Sequence, residues 1–145
     1  MIFHGTWQMV LDGTKTQTRR LVKEGERFVP GGCSFDDAVM RPGKGFADIL
    51  KWEVGRTYAI QPGRGKKAVG CFLLVSLRRE PLRSISFDDA CAELGRSNRS
   101  FAWYGAKVRP KELFAKLWDS IYPKGARWID NPDVWVKVIK RVQAP

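Results

Sequence analysis

The hydrophobic pattern changes period several times along the chain, and each change predicts an element. Met1 to Phe3 is short and apolar and suits a strand. Thr6 stands ahead of Trp7, Met9, Val10 and Leu11, a short helical run that Asp12-Gly13 stops. Thr16 to Val22 is rich in threonine and suits a strand, as does Thr57-Tyr58-Ala59-Ile60, which Gln61-Pro62-Gly63 ends. Lys67 to Leu77 carries Val69, Phe72, Leu73, Leu74, Val75 and Leu77, which predicts a central strand rather than an edge. Ser86 lies three residues before Asp89, so a helix should start there with Asp88 and Asp89 in its first turn and stop at Gly95. Pro110 opens another helix, with Leu113, Leu117, Trp118 and Ile121 on one face and Pro123 closing it. Val134 to Ile139 is a strand of only partly alternating pattern.

Residues 23–53 carry two strong turn signals, Pro30-Gly31-Gly32 and Arg41-Pro42-Gly43-Lys44-Gly45, and are expected to form an irregular insertion. Short strands, a few helices and no regular strand–helix alternation place the chain in the α+β class. With 145 residues, a single domain spanning 1–145 is expected, large enough to need no disulfide or metal staple.

Charge sharpens this picture. Lys and Arg number 26 against 15 acids, a formal charge of +11. Such a balance favours a polyanionic partner, most simply nucleic acid, over charge kept only for solubility. Cys33, Cys71 and Cys91 are odd in number and have no CxxC spacing, and His4 is the only histidine. A disulfide framework, a zinc knuckle and Ser–His–Asp chemistry are therefore not expected, nor is a metal or cofactor. No apolar run approaches the roughly 20 residues of a membrane span, and the first residues lack a signal-peptide pattern. The expected location is cytoplasmic.

Three places could carry chemistry. Gly13-Thr14-Lys15-Thr16-Gln17-Thr18-Arg19-Arg20 offers one amine, three hydroxyls and two guanidiniums. A desolvated amine can activate a hydroxyl, and paired arginines suit phosphate, while a solvated basic strand is the simpler reading. In a regular strand Lys15 and Thr18 point to opposite faces, so they meet only across a turn or bulge. Gln61-Pro62-Gly63-Arg64-Gly65-Lys66-Lys67 is either a phosphate-attracting loop or an ordinary basic hairpin; it lacks the Walker pattern. Glu93 falls near a helix C-terminus, where a negative charge is disfavoured. Glu93→Gln is thus expected to leave stability equal or slightly higher. Trp118 and Trp135 fit the core, whereas Trp128 and the segment Phe101-Ala102-Trp103-Tyr104-Gly105 suit either base stacking or packing under a loop.

These residues resemble a family. Leu11-Asp12-Gly13-Thr14-Lys15-Thr16-Gln17-Thr18-Arg19-Arg20 resembles the signature of ASCH domains, a branch of the PUA-like superfamily. Val54-Gly55-Arg56-Thr57-Tyr58-Ala59-Ile60, the segment from Leu82 to Glu93, Trp118 to Tyr122, and Asn131 to Val136 resemble later segments of phage and bacterial members in the same order. The resemblance implies a small PUA-like mixed β-barrel with helices at its openings and a cleft suited to RNA or a modified nucleoside. One branch of the family hydrolyses 4-acetylcytidine with a Lys, a Thr and a Glu, which match Lys15, Thr18 and Glu93. The resemblance then implies that Lys15 activates Thr18, that Thr18 attacks the acyl carbonyl and that Glu93 moves a proton. Arg19 and Arg20 would stabilise the oxyanion or grip phosphate, and Arg64, Lys66, Lys67 and Tyr58 would contact the substrate. A non-catalytic RNA-binding module and a ribonuclease are the alternatives.

Overall fold

Strand alternation and sheet register decide which side chains of this chain meet. The computed structural model describes residues 1–33, 36–45, 47–96 and 109–142. The segment around Trp103 lies outside the described residues. Helix α1 (Trp7–Asp12) leads into β1 (Gln17–Leu21), then β2 (Arg27–Val29), β3 (Ala38–Pro42), β4 (Asp48–Glu53), β5 (Thr57–Ile60) and β6 (Gly70–Pro81). Helix α2 (Phe87–Leu94), helix α3 (Pro110–Ile121) and β7 (Asp133–Arg141) follow. The class is α+β, as expected.

The larger sheet runs β1-β7-β6-β5, all antiparallel, and curls into a half-barrel. The run beginning at Lys67 is internal to it, yet the strand extends four residues beyond Leu77 and so recruits Arg78, Arg79 and Glu80. Met1 to Phe3 contributes an isolated parallel bridge, Ile2 to Gln61, rather than a strand. Within β6 the register slips between Leu74 and Ser76, leaving Val75 as the extra residue of a bulge.

Residues 23–53 are not irregular. They form a three-stranded antiparallel sheet, β2-β3-β4, with its own register shift at Val39/Met40. Its strands are only three to six residues long and are joined at glycine- and proline-rich turns, which is why the segment reads as loop. The sheet is anchored by burial: Val39 packs with Leu77 and Trp135, and Trp52 lies against the same cluster. Trp135 Nε1 also donates to Glu26 Oε2 at 2.6 Å, a buried bond across 109 residues.

The other face of the large sheet carries helices. Leu82, Ile85, Ala90, Phe114, Trp118, Val134 and Val136 form one buried cluster between α2, α3 and the strands. The inward face of α3 is Phe114 and Trp118; Ile121, expected to be buried, is 49% exposed, because the sheet meets the helix one residue away from the stripe read from the pattern. Trp128 packs edge-on against Phe114, so it belongs to the core and is not a stacking surface. Helix α2 starts as its sequence dictates, with the Ser86 hydroxyl accepting from Asp89 N–H at 3.1 Å.

Gly95 ends α2 in the left-handed region, φ 66°, and a Cβ there would meet Met9 Sδ at 2.6 Å. The close approach lets α1 and α2 pack against each other. Gly95→Ala should destabilise the fold by about 1–2 kcal/mol from backbone strain alone, with the Met9 clash added. Gly13, also left-handed but facing only the flexible Arg141 side chain, is the comparison site for thermal melting.

Candidate functional site

Alternation along β1 sorts its polar side chains. Gln17 and Arg19 face α2, while Thr18 and Arg20 face the interior between the two sheets, across from Lys137 and Trp135 of β7. Lys15 precedes the strand and is held by both ends of the chain around it: its N–H donates to Met9 O, and its Nζ reaches α2.

On the α2 side a dense charge cluster forms. Lys15 Nζ donates to Glu93 Oε2 at 3.0 Å and to the Glu93 carbonyl. Arg19 Nη1 donates to Glu93 Oε1 at 3.1 Å and to Gln17 Oε1 at 3.0 Å, and its Nη2 to Glu80 Oε1 at 2.8 Å and Asp89 Oδ2 at 3.1 Å. Arg78 adds a bond to Asp89 Oδ2 at 2.8 Å, and Gln17 Nε2 holds Asp89 Oδ1 at 2.7 Å. Three cations thus face three carboxylates. Burial acts to raise the Asp89 pKa, but the Gln17 amide, Arg19 and Arg78 outweigh it and hold the carboxyl below its usual value. Asp89 is therefore more than a helix-terminal acid.

This geometry joins two of the three residues matched to the hydrolase branch. Lys15 and Glu93 meet directly and are 5% and 3% exposed. Thr18 is buried too, but it sits on the face of β1 opposite Arg19 and its carboxylate partners. Arg19 is buried within the cluster, with its guanidinium committed to four side chains, so it is not free to grip phosphate. Arg20 donates to Ile2 O and lies over the Phe3 ring.

The remaining expected contacts divide. Arg64, Lys66 and Lys67 are exposed on the loop between β5 and β6. Tyr58 instead has a packing role: its hydroxyl accepts from Glu53 N–H at 2.8 Å and its ring lies against Trp52 and Phe72. Burial raises the Tyr58 pKa, so the phenol stays protonated. The three cysteines are free thiols, Cys91 alone being buried. Among the described residues no group of three His, Cys, Asp or Glu is placed to hold a metal ion. No helix among them is long and apolar enough to cross a membrane.

A cavity of about 460 Å³ opens beside this interior face. Arg20, Lys23, Lys51 and Arg64 line it with Trp52 and Tyr122, and no carboxylate does among the described residues. Lys51 is tied to Glu26, which leaves Lys23 and Arg64 as its exposed cations. A second cavity, about 410 Å³, lies between residues 14–16 and α2, where Thr14, Thr16 and Cys91 form its wall.

One residue was missed from sequence. Lys137 is wholly buried, and its Nζ has no hydrogen-bond partner among the described residues. It lies 3.6 Å from the centroid of the Trp52 ring. Burial pushes its amine well below the usual lysine value, and Arg20 and Lys51 push the same way against Glu26 and Glu93. The available signal was a lysine in the middle of Val134-Trp135-Val136-Lys137-Val138-Ile139, an otherwise apolar strand.

Compared with known proteins, the chain matches no family model and no curated protein. Among solved structures it is similar to the ASCH domain from Lactobacillus crispatus JV V101, with a TM-score of 0.49 and 16% sequence identity, covering 93% of this chain and 69% of that one.

The burial of Glu93 replaces the expectation drawn from its helix position. Removing its charge leaves buried Lys15 without a carboxylate and takes one of three from Arg19, and that outweighs any relief of the helix dipole. Glu93→Gln should cost about 3–5 kcal/mol, read as a lowered urea midpoint. Asp89→Asn, at a more open edge of the same cluster, should cost less.

Proposed function

We propose that this chain is an ASCH-type domain that binds RNA or a nucleobase ligand in the cavity between its two sheets. The observation that carries the reading is the wall of that cavity, where cations and two aromatic rings stand together with no carboxylate among the described residues. Phosphate is drawn by Lys and Arg, and a base has flat apolar faces to lay on Trp52 or Tyr122. The exposed Arg64, Lys66 and Lys67 on the adjoining loop extend the basic surface beyond the cavity, the length that a polymer requires. The +11 charge of the whole chain agrees with it.

A second reading, amide hydrolysis on 4-acylated cytidine-type substrates, is favoured by one contact. Lys15 and Glu93 stand 78 residues apart and meet at 3.0 Å in a buried site, as the resemblance to the hydrolase branch requires. In that reading Thr18 Oγ1 attacks the acyl carbon, and the buried charges set the field around the reaction.

Two measurements test these readings separately. Single-stranded RNA should bind with a strong salt dependence, and neutralising Arg64, Lys66 and Lys67 together should flatten the slope of log K against log salt by about 2, at roughly 0.7 per lost phosphate contact. An unchanged slope would place the phosphate path elsewhere. For hydrolysis, the protein should release acetate from 4-acetylcytidine, and Thr18→Ala should lower that rate by about a thousandfold or more. No turnover on any 4-acylated cytosine nucleoside would leave the binding reading alone.

A further inference from the structure

The cavity between the two sheets collects its cations from separate parts of the chain. Arg20 comes from β1, Lys23 from the connection to β2, Lys51 from β4 and Arg64 from the loop between β5 and β6. Lys51 is paired with Glu26. The other three have no carboxylate partner among the described residues: Arg20 donates to a neutral acceptor, the Ile2 carbonyl, and Lys23 and Arg64 are exposed. Lys66 and Lys67 stand on the same loop as Arg64 but are not among the lining residues. At about 460 Å³ the space takes one small ligand rather than a stretch of polymer.

Three uncompensated cations around one such space call for a concentrated anion. An internal phosphodiester of RNA brings a single negative charge. A phosphomonoester brings a charge of about −1.5 to −2 at pH 7 and three acceptor oxygens. Repulsion within the free site points the same way. Lys137, on the Trp52 ring, has its amine pushed well below the usual lysine value by burial first, and then by Arg20 and Lys51, against Glu26 and Glu93. An anion in the cavity relieves that repulsion, and a neutral base does not.

We propose that this cavity is a phosphomonoester site, seating the terminal phosphate of an RNA end or of a mononucleotide on Arg20, Lys23 and Arg64, with the attached nucleoside laid on Trp52 or Tyr122. This rests on the reading of the cavity as an RNA or nucleobase site and names the group it recognises. Arg20 is half-buried and held by the Ile2 carbonyl, so its orientation is set before the ligand arrives, and Lys23 and Arg64 close on the phosphate from solvent. Stacking on an aromatic ring is indifferent to base identity, so the end of the strand is read and its sequence is not. Lys66 and Lys67, outside the cavity, are left for internal phosphates.

Calorimetric titration at one fixed salt concentration tests this with octauridylates carrying a 5′-phosphate, a 3′-phosphate or hydroxyls at both ends, and with uridine and uridine 5′-monophosphate. A decauridylate with hydroxyl ends carries about the same charge, roughly −9, as a phosphorylated octamer and controls for bulk attraction. A phosphorylated octamer should bind about tenfold more tightly than both hydroxyl-ended oligomers, or the monophosphate should exceed uridine by as much. The first outcome makes an RNA end the source of the phosphate, the second a free nucleotide. Lys23→Gln and Arg64→Gln, both at exposed positions, should each remove most of that preference. Lys66→Gln combined with Lys67→Gln should weaken all the oligomers alike and keep it. Equal binding of the oligomers of like charge, with the monophosphate no better than uridine, overturns the phosphomonoester site and leaves RNA binding standing. A preference that survives both Lys23→Gln and Arg64→Gln overturns it too, since the phosphate then sits elsewhere. If no oligomer or nucleotide binds, the binding reading fails and this site with it.

Discussion

A five-residue strand sorts the polar chemistry of this protein, and the rest of the site depends on that sorting. With a side-chain period of two, β1 sends Gln17 and Arg19 to the helices and Thr18 and Arg20 to the interior. Pairing with β7 then fixes what each meets. Arg19 finds carboxylates delivered by β6 and α2, and Thr18 finds Lys137. A one-residue slip would exchange the two sets, leaving Arg19 among Trp135, Trp52 and Lys137 with no carboxylate to bind. The charge cluster and the buried lysine opposite Thr18 are two outcomes of a single register.

The two faces satisfy buried charge differently. On the α2 face Lys15, Arg19 and Arg78 each have a carboxylate, and a large part of that cluster is nearly dry. Such a network returns little net stability over an apolar core but makes loss of any member costly. On the interior face Lys137 has no hydrogen bond among the described residues and is held over an aromatic ring. A methionine there would satisfy packing at lower cost. A polar group kept in that position is the kind of local conflict that accompanies function.

Much of this was legible in the sequence, and the failures share one physical cause. The strand at Thr57–Ile60, the Ser86 cap and the Gly95 stop depend on local signals, and the structure repeats them. The sheet formed by β2, β3 and β4 was missed because its strands are too short for alternation to show, and it is held by Trp52, Val39 and Glu26 meeting residues far along the chain. Glu93 was placed on the right helix but given the wrong energetics, since the dipole is local and its two cationic partners are not. Lys137 was hidden in plain apolar surroundings. Lys15 and Glu93 were joined by the resemblance before geometry brought them together, whereas the face of Thr18 required the register.

The bulge at Val75 has a bearing on chain length. On either side of it the pairs Leu74 with Ile139 and Ser76 with Val138 are already consecutive along β7. Val75 itself is exposed and has no partner in that ladder. Removing it closes the gap in β6 and leaves the pairs with β7 on either side in register. The bulge is thus a point at which the strand can lose one residue and keep its pairing.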